Sequence, residues 1–86
     1  MCTYVTTTLA AQGSAKGQPE WFTVTDVSVY FDHPVHAQAG HTLNIDLRNP
    51  SLGPAARVAT ELTADSARAL AHAILEILDT APPGLT

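Results

Sequence analysis

Residues 21–48 decide the fold, because two alternating apolar runs flank a short segment of turn-forming residues. Their sequence is WFTVTDVSVYFDHPVHAQAGHTLNIDLR. Apolar and polar residues alternate at 27–31 and again at 43–47, which is typical of strands that bury one face. Pro34 and Gly40 lie between these runs and favour a reversal of the chain. The stretch therefore predicts a β-hairpin.

Two more strands and one helix extend the hairpin. Strand patterns are expected at residues 3–10, 22–33, 41–48 and 57–62. A helix is expected after Thr63, a residue type that caps helix N-termini, and two prolines end it. Its apolar stripe consists of Leu70, Ile74, Ile77 and Leu78. Short connections make consecutive strands antiparallel neighbours. The prediction is one α+β domain over residues 1–86, a four-stranded antiparallel meander with one C-terminal helix packed on its apolar face.

The second strand is expected to contain one irregularity. Its apolar residues before Thr25 alternate in one phase, whereas Val27, Val29 and Phe31 alternate in the other. Because side chains alternate strictly between the two faces of a strand, both sets cannot share a face without an extra residue. A β-bulge near Thr25 and Asp26 would insert it.

Composition argues against several classes of function. The chain has 86 residues, with four Lys or Arg against eight Asp or Glu, and a formal net charge of −4. So few cations do not form the basic surface that nucleic acid or an anionic membrane attracts. No apolar run approaches the ~20 residues that a membrane span needs. We therefore expect no nucleic-acid or membrane partner, and the single cysteine without an export signal favours the cytoplasm.

Three of the four histidines, His33, His36 and His41, lie within nine residues. If Phe31 pairs with Leu43, the next pair outward is His33 with His41. Directly opposite residues have Cβ atoms ~4.5–5.5 Å apart. Two imidazoles at that separation can reach one ion through N–metal bonds of ~2.0–2.1 Å. His36 lies in the loop between them and is a candidate third ligand.

Cys2 is a further candidate ligand. In the predicted topology the start of the first strand lies beside the end of the second, which brings this thiol toward His33. Cysteine and histidine are ligands that zinc and copper prefer. The cluster predicts a site for zinc or copper formed by His33, His41, His36 and Cys2. An open coordination position would let the ion activate water.

Other roles remain open for these residues. Histidines at a sheet end also bond to loop carbonyl oxygens, which is a purely structural role. Removal of Met1 would expose the amine and thiol of Cys2, a possible nucleophile with a nearby histidine as base. His72 belongs elsewhere, because it lies on the polar stripe of the helix and is expected at the surface.

The predicted sheet face opposite the helix is polar but not strongly charged. It carries Tyr4, Thr6, Thr8, Tyr30, Asn44, Asp46, Arg57 and Glu61. Such a face suits solvent, a small polar ligand or a second subunit. Together with the small size of the chain, it predicts an alternative to the metal protein, a non-catalytic accessory or small-ligand-binding module that is a homodimer through this face.

Three segments carry a resemblance to a known family. They are Met-Cys-Thr-Tyr at 1–4, Tyr-Phe-Asp-His-Pro-Val-His at 30–36 with His-Thr-Leu-Asn-Ile-Asp at 41–46, and Glu-Leu-Thr-Ala at 61–64. With these motifs the chain resembles a family of short uncharacterised proteins from high-GC bacteria that has no assigned activity. The resemblance covers nearly the whole chain and implies a stand-alone cytoplasmic protein, accessory to a small-molecule pathway. It carries over no catalytic residue.

Overall fold

The computed structural model describes residues 5–36 and 39–86, which form an α+β fold. The four strands are β1 (Val5–Lys16), β2 (Trp21–Asp32), β3 (Thr42–Arg48) and β4 (Arg57–Leu62). They pair in sequence order, every neighbouring pair is antiparallel, and the sheet is open. A 3-10 turn (Pro50–Leu52) joins β3 to β4, and helix α1 (Ala64–Thr80) follows β4. The predicted fold class, meander and C-terminal helix are confirmed.

Strands β2 and β3 pair in the register that the hairpin pattern predicted. Phe31 lies opposite Leu43, and the last pair of the ladder is Asp32 with Thr42. The apolar side chains of both strands therefore share one face of the sheet, because directly paired residues point to the same side. The polar side chains between them share the other face.

The expected β-bulge lies in β1 rather than in β2. The pairing of these two strands shifts between Ala10 and Gly13, so that two residues of β1 stand opposite Thr25. An edge strand pairs with only one neighbour, so an extra residue in it disrupts hydrogen bonding to that neighbour alone. Since β2 itself alternates without interruption, Val24 stays on the face opposite to Val27.

The buried side chains of β3 are polar ones. Asn44 and Asp46 are 6% and 8% exposed, whereas their apolar neighbours Ile45 and Leu47 are only half-buried. This reverses the burial that the alternation predicted, with the apolar residues inward. The loop between β2 and β3 folds back against the polar face through hydrogen bonds to Glu61, while Leu43, Ile45 and Leu47 of the apolar face stay half-buried.

The apolar stripe of α1 does not pack against the sheet. No residue of the helix is buried, and Ile77 is 69% exposed. Only Thr63 separates β4 from α1, whereas connections between strands and helices usually have about 2–6 residues. The side chain of Thr63 accepts a hydrogen bond from the backbone N–H of Ser66 at 3.2 Å and caps the helix. The predicted helix and its cap are confirmed, but its predicted packing on the apolar face is not observed.

The exposed helix gives the molecule an extended shape. Its radius of gyration is 14.3 Å, whereas a compact domain of 86 residues has one of about 12 Å. The principal extents are 43 × 32 × 22 Å. In the described part of the chain, no helix is long and apolar enough to span a membrane.

Candidate functional site

A cleft of about 680 Å³ lies on the polar face, between the β2–β3 loop and β4. A row of paired residues crosses it from strand to strand, with Tyr30 opposite Asn44 and Asn44 opposite Glu61. Strand alternation explains this row, because directly paired residues share a face. The nearly buried Asn44 lies in the lining together with the loop residue His36. The cleft thus combines positions set by the rigid sheet with positions on a loop.

Asp46 and Arg57 form an ion pair at the cleft. Nε and Nη2 of Arg57 donate hydrogen bonds to Oδ2 of Asp46 at 3.1 and 2.9 Å. The hydroxyl of Tyr30 donates to the same carboxylate at 3.3 Å. The hydrogen bond to Asp46 raises the pKa of Arg57, against a smaller lowering by burial. The guanidinium is therefore held in place while its side chain stays 48% exposed.

Glu61 attaches the β2–β3 loop to β4. Its Oε2 accepts a hydrogen bond from the backbone N–H of Val35, and its Oε1 accepts one from the backbone N–H of His36 at 2.8 Å. These loop donors lie outside the strand ladders and need other partners. A carboxylate is a strong acceptor for two such donors. The loop is therefore fixed as one wall of the cleft.

Further hydrogen bonds order the rest of the polar face. Thr42 is fully buried and donates to Oδ1 of Asn44 at 2.7 Å. Arg48 donates to the hydroxyl of Ser28 at 2.9 Å, and the hydroxyls of Ser28 and Thr8 lie 3.3 Å apart. Among the side chains that the structure describes, no buried polar atom lacks a partner. The polar side chains of this face are thus held by hydrogen bonds within the chain.

The structure brings His33 and His41 together at the end of the hairpin. Their ring centres lie 4.5 Å apart, with planes tilted by 35°. The ring of His41 also stacks on Phe31, at 5.7 Å and 11°. Nδ1 of His33 lies 3.2 Å from the carbonyl oxygen of Gly40. The two rings are therefore close together, as the register predicted. One ring nitrogen of His33 also lies within hydrogen-bonding distance of a loop carbonyl oxygen, as the structural alternative predicted.

Of the other two predicted metal ligands, the structure describes only His36, which lines the same cleft as His33. His36 lines the cleft with the loop that Glu61 holds. Cys2 lies outside the described residues, so its role stays a prediction. Within residues 5–36 and 39–86, no group of three or more His, Cys, Asp or Glu side chains is arranged to hold a metal ion.

Sequence reasoning placed Arg57 and Glu61 on the polar face but missed their partners. Arg57 is diagonal to Asp46 across β3 and β4, because Asp46 pairs with Ala59, two residues further along. Diagonal neighbours are within reach of long side chains, so opposite charges at this offset are a usable signal. The contact between Glu61 and the loop has no such signal, because it depends on how an irregular segment folds back.

Comparison with known proteins places the chain in one family. No curated protein and no solved structure matches it. A protein-family model, described as a family of unknown function (DUF6295), matches residues 1–86. The chain therefore belongs to this family.

Proposed function

We propose that the protein is a small-ligand-binding module whose cleft on the polar face takes a small polar molecule with a positively charged group. The observation that carries the proposal is a cleft of about 680 Å³ with a nearly buried polar side chain, Asn44, in its lining. Clefts that bind small molecules typically measure about 300–1,000 Å³ and present a few convergent polar groups. The volume of this cleft falls within that range, and several polar side chains converge on it.

Preorganisation supports binding at this cleft. Glu61 holds the loop wall, and Asp46 holds Arg57 and Tyr30 in fixed positions. A site whose side chains are already ordered loses less conformational entropy when a ligand binds. A ligand would therefore meet the donors and acceptors of the cleft without rearranging the sheet.

The charges along the cleft favour a cation over an anion. By formal charge at pH 7, with histidine neutral, the described lining residues include one cation, Arg57, and two anions, Asp32 and Glu61. The charge of Arg57 is balanced by its ion pair with Asp46. The formal net charge of the chain, −4, has the same sign. Opposite charge attracts a ligand and slows its escape, so amines are expected to bind better than carboxylates of equal size.

Calorimetry with matched pairs of small amines and carboxylates tests this proposal. The substitution Ala59→Phe places a ring in the cleft lining and is expected to weaken amine binding at least about tenfold, since a tenfold loss is only 1.4 kcal/mol. Ala69→Phe, on the exposed helix, is the matched control and should bind as the original chain does. Equal binding by Ala59→Phe, or preference for carboxylates, would contradict the proposal.

A zinc or copper site at His33 and His41 is the second candidate function. The specific observation is the 4.5 Å separation of the two ring centres, which is short enough for both rings to reach one ion through bonds of ~2.0–2.1 Å. Cys2 is the proposed additional ligand, since a thiolate and two imidazoles suit these metals. A metal ion bound there would link the end of β2 to the start of β3.

Elemental analysis of untagged protein tests the metal candidate. We expect zinc or copper in the purified chain, and a higher melting temperature when either metal is added. His33→Ala and His41→Ala should each abolish that gain, whereas His72→Ala, on the exposed helix, should keep it. A metal-free chain that gains no stability from either ion would refute the candidate.

Assembly and location complete the proposal. We propose a homodimer, because a chain of 86 residues has a small core and often gains stability from a partner subunit. The cleft must stay open for its ligand, so the proposed dimer contact lies away from the polar face. The single cysteine suits a reducing compartment, and we propose that the protein acts in the cytoplasm.

A further inference from the structure

The chain exposes more surface than a compact monomer of its mass. Its accessible surface is 6449 Å², whereas a folded monomer of 9.1 kDa exposes about 4,900 Å². The excess over such a monomer is about 1,500 Å². One partner contributes about 800 Å² to a standard interface and about 1,000–2,500 Å² to an obligate homodimer. The excess is therefore of the size that a stable dimer buries.

Among the described residues, two apolar surfaces are incompletely covered: one consists of half-buried side chains of the sheet and the other of exposed side chains of α1. The first is the apolar face of the sheet, formed by Val27, Val29, Phe31, Leu43, Ile45, Leu47, Val58 and Leu62. The second is the apolar stripe of α1, in which Leu70, Ile74, Ile77 and Leu78 are between 42% and 69% exposed. Monomeric proteins rarely leave contiguous apolar patches larger than a few hundred Å² in water.

These two surfaces are complementary in chemistry. Strand alternation places no charged side chain on the apolar face in β2, β3 or β4. The stripe of α1 repeats aliphatic residues at helical spacing, which forms the ridge that packs on a sheet in two-layer α+β domains. Packing of the helical stripe on the apolar face of a sheet would therefore remove both surfaces from water.

The connection between β4 and α1 is a single residue, Thr63. Thr63 has extended backbone angles, φ −62° and ψ 155°, and α1 begins at the next residue. The helix follows β4 directly, and its apolar stripe is exposed rather than buried against the sheet. Short hinges of this kind favour the exchange of an element between two copies of a chain.

A two-fold dimer would cover both surfaces at once. In such a dimer each helix covers the other copy's sheet, so the same pair of surfaces meets twice. A different protein would have to supply both a helical ridge and an apolar sheet to do the same. The cleft lies on the opposite side of the sheet and stays accessible.

We propose that a second copy of this chain covers the apolar face, with α1 of each copy lying across the sheet of the other. The inference rests on the homodimer proposed above and assigns its surface. In this dimer the two copies exchange their helices. The packing of the helix on the sheet, which the sequence pattern predicts within one chain, then forms between the two copies.

Light scattering on the purified chain, with and without one substitution, tests the surface. The original chain should have twice the 9.1 kDa mass of one copy. Ile74→Glu places a charge in the apolar stripe and should give the mass of one copy. His72→Glu places the same charge on the polar side of α1 and should keep the dimer. Circular dichroism would show that the helix persists in both variants.

Cysteine cross-linking tests the exchange even if Ile74→Glu does not fold. In a Cys2→Ser background, one copy carries Val29→Cys on the apolar face and another carries Ile74→Cys on the helix. Mixing and oxidising the two should give a disulfide between copies.

The possible outcomes distinguish failure of the proposed contact surface from failure of the proposed homodimer. If the dimer persists in Ile74→Glu and no disulfide forms between the Val29→Cys and Ile74→Cys copies, the homodimer stands but the proposed surface is wrong. A chain that is monomeric at every concentration overturns both, whether its helix folds back on its own sheet or binds another protein. A link that forms only within one chain, when both cysteines are in the same copy, also overturns the exchange.

Discussion

Arg57 donates two hydrogen bonds to a single carboxylate oxygen of Asp46, at 3.1 and 2.9 Å, from the neighbouring strand. Asp46 is 8% exposed, and a hydrogen bond to a charged group is worth about 1.5–3 kcal/mol. We expect Asp46→Ala to lower the free energy of unfolding by about that amount. Urea denaturation measures the change. Asp79→Ala, on the exposed helix, should cost less than about 0.5 kcal/mol, and equal costs for the two variants would contradict the role of the pair.

The loop wall of the cleft depends on Glu61. Glu61→Ala removes the acceptor for the backbone N–H groups of Val35 and His36. We expect their amide hydrogen exchange to become at least about tenfold faster, because bonds to a charged acceptor are worth about 1.5–3 kcal/mol. Nuclear magnetic resonance measures the exchange at each amide.

Glu76→Ala is the control for the loop, since Glu76 lies on the exposed helix. It should leave exchange at Val35 and His36 unchanged. If Glu61→Ala also leaves it unchanged, the carboxylate does not hold the loop.

The cap at Thr63 stabilises the start of α1. Thr63→Ala removes the oxygen that accepts from the backbone N–H of Ser66. We expect a loss of about 0.5–2 kcal/mol in stability and a lower helix content by circular dichroism. Thr63→Ser keeps a capping hydroxyl and should stay close to the original chain. Equal losses for both substitutions would show that the hydroxyl is not what matters.

Dimer formation through the apolar face makes thermal stability depend on protein concentration. Since association favours the folded state by mass action, the melting temperature should rise as the chain is concentrated. Ile74→Glu should remove this dependence, and His72→Glu should retain it. A melting temperature of the original chain that does not change with concentration would contradict a dimer in which folding and association are coupled.

The sequence was sufficient where the structure follows strand alternation. Phe31 opposite Leu43 sets the register of the hairpin, and that register alone brings His33 and His41 together. Period-two alternation also sorted the residues of β3 and β4 onto their two faces. These features depend on neighbours in one ladder, which a local pattern specifies.

The sequence was insufficient for features that depend on the path of the chain outside the paired strands. An apolar stripe on α1 has the same pattern whether it covers its own sheet or that of another copy. The bond between Glu61 and the loop at His36 joins residues 25 positions apart and has no periodic signature. The burial of Asn44 and Asp46 could not be predicted from alternation either, because the pattern favoured the apolar residues of β3 as the buried ones.

The most direct test of the proposed function compares two neighbouring residues of β4. Ala59 lines the cleft, and Val58 pairs with Leu47 on the opposite, apolar face. Methyl chemical shifts should be recorded by nuclear magnetic resonance while a small amine that binds in calorimetry is added. The account predicts that the Ala59 methyl signal shifts and saturates with the amine while the Val58 methyl signals stay in place. Saturating shifts at Val58 with none at Ala59 would contradict it.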